Sequence, residues 1–144
     1  MATTQHQAYA AAIASALTTE LNSIANAAIS AASAAIDNSS ALDLYDDLTL
    51  TIATQGGART AGATVSVLMV QAVDGTNYDD VETTCGQLVA VFPLDAAVTA
   101  RQCSVRDVPI PPGLFKYFVR NGTGQAFAAS GNILERRPHS IETA

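Results

Sequence analysis

"AYAAAIASALTTELNSIANAAISAASAAIDNSS" (residues 8–40) is built largely from alanine and contains neither glycine nor proline. Alanine is the strongest helix former, so this composition predicts an α-helix from Gln5 to Ile36. Leu17, Leu21, Ile24, Ala28, Ala31 and Ala35 recur in alternating steps of four and three, a short heptad seam. Glu20 is the only charged residue between Met1 and Ile36, so such a helix lacks the charged outer face of a surface helix and needs cover on more than one side. Two covers fit: the body of its own chain, or a neighbour in an assembly.

After Leu42 the hydrophobic period changes from helical to alternating. "LTLTIAT" (48–54) alternates Leu48, Leu50 and Ile52 with threonine, the pattern of a half-buried strand. "ATVSVLMVQAV" (63–73) is apolar on both faces, and "QLVAVFPL" (87–94) and the stretch from Thr99 to Val108 read as further strands. Pro111-Pro112-Gly113 then forces a turn into "LFKYFVRN" (114–121), and "GNILERRPHS" (131–140) supplies a last strand. Alternation puts Phe115, Tyr117 and Val119 on one face of 114–121 and Leu114, Lys116, Phe118 and Arg120 on the other. The two cations either solvate that second face or flank Phe118 at a contact between subunits. The predicted fold class is mainly β: an antiparallel β-sandwich preceded by a long N-terminal α-helix, with an arm over 1–41 and a sandwich domain over 42–144.

The totals narrow the functional classes. Only 14% of the 144 residues are charged, against a usual share of about a quarter, which suggests that surface is shared with a partner. The net charge of −6 is divided unevenly: residues 1–99 carry ten acids and Arg59 alone, residues 100–144 three acids and six bases. An acidic total argues against nucleic acid as a partner, and no stretch is apolar enough to predict a membrane-spanning helix. Cys85 and Cys103 read as reduced, buried thiols, with pairing as the alternative.

No constellation for catalysis stands out. "DGTNYDDVE" (74–82) offers Asp74, Asn77, Asp79, Asp80 and Glu82 as oxygen ligands but lacks the spacing of a calcium loop, and reads as a hairpin tip. His6 and His139 have no Cys or His at ligand spacing, and no nucleophile elbow or phosphate loop occurs. "ERRPH" (135–139) reads as a solvated or salt-bridged strand end. Neither catalytic, metal nor cofactor residues are predicted, and the chain is not expected to be an enzyme.

Residues 42–80 and 88–132 resemble a group of small tailed-bacteriophage virion structural proteins, through the Ala/Ser-rich leading helix expected before them and through "ARTAGATVS" (58–66), "DGTNY" (74–78), "DVPIPPGLFK" (107–116) and "NGTGQAFAASGN" (121–132). The resemblance spans about residues 10–140 and consists of turns and strand edges, so no site residue transfers with it. It implies a β-sandwich made in the host cytoplasm and resident in the virion. The expected role is a capsid decoration or cement protein that clamps the coat lattice as a homo-oligomer, a trimer, with the major capsid protein or other virion proteins as partners. A tail component, fibre or baseplate adaptor, is the alternative, and a receptor- or glycan-binding module is the alternative of another class. The expected assembly residues are Leu17, Leu21, Ile24, Ala28, Ala31, Ala35, Leu114, Lys116, Phe118 and Arg120.

Overall fold

The computed structural model describes residues 5–9, 12–80 and 85–143. The side chain of His6, and Glu82 as a whole, lie outside the described set. The strands are β1 (Gln5–Tyr9), β2 (Ala14–Leu17), β3 (Ile36–Asp37), β4 (Tyr45–Ile52), β5 (Thr64–Gln71), β6 (Gln87–Pro93), β7 (Arg101–Pro109), β8 (Leu114–Gly122) and β9 (Ile133–Thr143). They form two sheets, one ordered β1-β9-β4-β7 with β2 also on β9, the other β3-β8-β5-β6, with every pairing antiparallel.

Alternation explains how the sheets meet. In β4 the positions of Asp46, Leu48, Leu50 and Ile52 are buried while Tyr45, Asp47, Thr49 and Thr51 lean outward. In β8 Phe115, Tyr117 and Val119 are fully buried, the apolar face expected from the sequence. These faces pack with Val65, Val67 and Met69 of β5, Ala90 and Phe92 of β6 and Leu134 of β9 into one core. The six strands expected after Leu42 are all present. Gly124 ends the turn after β8 with φ of 83°, and a Cβ there would lie 2.4 Å from Thr60 Cγ2, so only glycine fits.

The N-terminal α-helix is not present: among the described residues the only helical turn is a 3-10 turn at Thr19–Leu21. Apart from that turn, the described residues of this segment are extended or irregular, and three of its large apolar residues enter the core of the same sandwich. Leu17, Leu21 and Ile24 are buried there, and Ala28 packs against the cluster half-buried, whereas Ala31 and Ala35 are exposed. The six therefore do not share a seam.

The physical reason lies with serine. Ser30 N–H donates to Val119 O (2.8 Å) and Ser33 N–H to Tyr117 O (2.9 Å), while Ala27 N–H reaches Asn121 O (2.7 Å). In return Val119 N–H donates to Ser30 Oγ (2.9 Å) and Tyr117 N–H to Ser33 Oγ (3.0 Å). Each serine thus satisfies both backbone groups of one β8 residue. Three residues of the Ala/Ser segment match two of β8, and the strand's edge is closed without a regular ladder. Serine's capacity to bond backbone outside helices, multiplied by tertiary contact, outweighs the modest propensity of alanine.

Candidate functional site

The outer faces of the two sheets differ in kind. On the β3-β8-β5-β6 sheet, the register sets Leu88 of β6 opposite Leu68 of β5, and Leu68 opposite Phe118 of β8. All three point away from the core, and Leu88 is 57% exposed. Val91 continues the patch at 40% exposure, opposite Ser66, which in turn faces Arg120. Leu114, Lys116 and Phe118 are half-buried and Arg120 is exposed, with Lys116 Nζ 4.0 Å from the centre of the Tyr78 ring. The four β8 residues singled out in the sequence therefore share one outward face, whereas Leu17, Leu21 and Ile24 lie in the core.

On the opposite sheet the outer face is polar and layered. Register places Ser104, Thr49 and Glu135 in one cross-strand row, and Asp47 and Arg137 opposite each other in the next, with Arg106 beside them. With Tyr9, Ile13 and Arg136 these residues line an open hollow of about 160 Å3. Thr49 Oγ1 and Ser104 Oγ lie 2.9 Å apart on its floor. The Tyr9 hydroxyl donates to Asp47 Oδ2 (2.8 Å), a bond that raises the phenol's pKa, and the Arg137 guanidinium lies 3.8 Å from the Tyr9 ring centre.

A third row completes the face. His139, fully buried, is stacked by Tyr45 and met edge-on by Tyr9. Its Nε2 lies 2.9 Å from Asp107 Oδ1, and its Nδ1 3.7 Å from Asp47 Oδ1. Asp107 is brought there by a bulge in β7 opposite Asp47, where it adopts φ of 55° and donates its N–H to Asp47 Oδ1 (3.0 Å). Bulges re-aim side chains in this way, and Asp tolerates the left-handed region better than most residues. Ligand atoms of Asp47, Asp107 and His139 fall within 4.8 Å of one another, so these three could hold a metal ion. Both Asp47 oxygens already accept hydrogen bonds, from Tyr9 and from the Asp107 amide, so the trio is a bonded knot before any ion enters.

Beneath the polar face lies a buried ion pair. Asp46, fully buried at an inward position of β4, accepts two bonds from Arg136 (2.8 and 2.7 Å) and one from the Tyr117 hydroxyl (2.7 Å). Burial, with the adjacent Asp46 carboxylate, raises the Tyr117 phenol well above its usual range. "ERRPH" is thus divided: Arg136 turns inward to Asp46, Arg137 outward onto Tyr9, and His139 is enclosed by tyrosines.

The remaining candidates are accounted for locally. Asp74 spends its carboxylate on the amides of Thr76 and Asn77 and on the Asn77 side chain, closing the turn it begins. Cys85 is exposed and Cys103 half-buried, and no disulfide joins them; burial raises the Cys103 thiol. No helix among the described residues is long and apolar enough to cross a membrane.

No family model and no curated protein matches this chain. Solved structures are similar to it only distantly. TmCBM61 in complex with β-1,4-galactotriose is 7% identical over 77% of this chain and 60% of its own, at a TM-score of 0.30. A chain of turnip yellow mosaic virus is 16% identical over 98% and 82%, at 0.34. The mitogen of Yersinia pseudotuberculosis is 8% identical over 95% and 83%, at 0.29. The chain spans about three-fifths of the length of the first of these. At such TM-scores the likeness carries neither ligand nor partner to this protein.

Proposed function

We propose that this protein is a non-catalytic structural subunit of a bacteriophage virion, a decoration or cement protein that binds the coat lattice as an oligomer. The observation that carries the reading is the outward row Leu88–Leu68–Phe118 with Val91, large apolar side chains standing on the face opposite their own core. Contiguous apolar surface of this kind marks contact with another molecule. The low charge content supports the same role, as does the resemblance of the turn motifs to those of small phage virion proteins. Its mechanism is clamping: apolar area removed from water at about 25 cal/mol per Å2, less the cost of association, holds neighbours together.

The test is the stoichiometry of the protein in intact particles, read by mass spectrometry against the major coat protein. A fixed ratio to the coat protein supports a decoration role, a copy number set by tail symmetry moves it to the tail, and absence from particles defeats the reading. Phe118→Asp should abolish incorporation while leaving the melting temperature of the isolated chain within a few degrees. Loss of folding by that variant would instead give Phe118 a role inside the domain.

A further inference from the structure

We propose that the hollow on the outer face of the β2-β9-β4-β7 sheet binds a neutral, hydroxyl-rich ligand, the chemistry of a saccharide chain. It lies on the opposite sheet from the apolar row, so the inference stands on different residues from the assembly role. The first argument is charge. Asp47 and Glu135 line the hollow together with Arg106 and Arg137, Asp47 directly beside Arg137 across the β4–β9 pair, and the third arginine, Arg136, is already neutralised by Asp46. An anion would meet two carboxylates and a cation two guanidinium groups. A hydroxyl both donates and accepts, and here carboxylate acceptors stand beside guanidinium donors.

The second argument is unspent bonding capacity. No hydrogen bond joins the side chains of Arg106 or Glu135 to another described residue, and the Nε of Arg137 is buried without a hydrogen-bond partner. A buried donor left unpaired costs free energy, and a specific one in a folded protein calls for an explanation such as a water or ligand. Thr49 and Ser104 add two hydroxyls on the floor.

The third argument is shape and rigidity. Tyr9 (38% exposed) and Ile13 (59% exposed) form an apolar lip against which the C–H face of a sugar ring can pack. Tyr9 is held on three sides, by Asp47 at its hydroxyl, Arg137 over its ring and His139 at its edge. Fixing it before the ligand arrives lowers the ordering cost of binding.

A glycan array carrying neutral oligosaccharides alongside sialylated and sulfated ones, probed with the full-length protein, tests this. Binding to neutral members is expected, reduced about tenfold or more by Glu135→Gln or Arg106→Ala, as loss of one charge-assisted bond would require. Both variants are expected to melt with the parent, and Phe118→Asp should bind as the parent does. Binding only to acidic glycans overturns the charge argument. No binding, or binding that both variants leave unchanged, overturns the site while leaving the assembly reading intact.

Discussion

At the residue scale, Asp46 and Arg136 form the most consequential pair. A carboxylate fully removed from water is tolerable only because three donors converge on it. Arg136→Met leaves that carboxylate with the Tyr117 hydroxyl alone and should cost about 3–5 kcal/mol, measured by urea unfolding. Adding Asp46→Leu to that variant should recover much of the loss, since the stranded charge is the penalty. The second ionic cluster behaves differently because its carboxylate, that of Asp95, is exposed. Arg59, with its side chain fully buried, and Arg101 both bond Asp95, whose carboxyl they pull down from 3.8 to about 2. A depressed folded-state pKa gives stability that is present above the unfolded value and lost as pH falls through the folded one. Melting temperature should therefore fall between about pH 4 and pH 2, and Asp95→Asn should flatten the curve in that window relative to the parent. An unchanged slope would show that the Asp95 bridges contribute nothing to folding.

At the scale of elements, the strands were legible and the N-terminal segment was not. Strand β8 could be read because its alternation places three large apolar residues on one face, a signal that needs no knowledge of neighbours. The Ala-rich segment has no comparable local signal, since alanine fits a helix and also any close-packed extended chain. The spacing of Leu17, Leu21 and Ile24 is a coincidence of three core contacts made around a 3-10 turn. A better signal was present in the repeated triplet Ser30-Ala31-Ala32 and Ser33-Ala34-Ala35, whose period of three matches neither the 3.6 of an α-helix nor the 2 of a strand. The paired substitution Ser30→Ala with Ser33→Ala tests the clasp. It leaves the buried amides of Val119 and Tyr117 without acceptors and should cost about 1–3 kcal/mol for each. The midpoint of urea unfolding should drop with its slope unchanged; a midpoint equal to the parent's would mean that water replaces both hydroxyls.

At the scale of the whole molecule, one sandwich presents an apolar face and a polar face on opposite sheets, and the site residues reach them from distant parts of the chain. That is why the polar face escaped the sequence: His139 meets Asp47 and Asp107 only through the pairing of β9 with β4 and β4 with β7, and a bulge is needed to turn Asp107 toward it. The same non-locality makes residues 14–37 part of the body, since β2 joins one sheet, β3 the other, and the segment between them supplies Leu21 and Ile24 to the core. Burying Leu17, Leu21 and Ile24 contributes about 1.5–3 kcal/mol each. Their sum rivals the total stability of a domain, about 5–15 kcal/mol. Deleting residues 1–36 should therefore yield a chain without cooperative thermal unfolding and with lost near-ultraviolet circular dichroism. A truncated chain that still melts sharply would mean that the remaining strands close their core without this segment, and that the serine clasp only decorates the edge of β8.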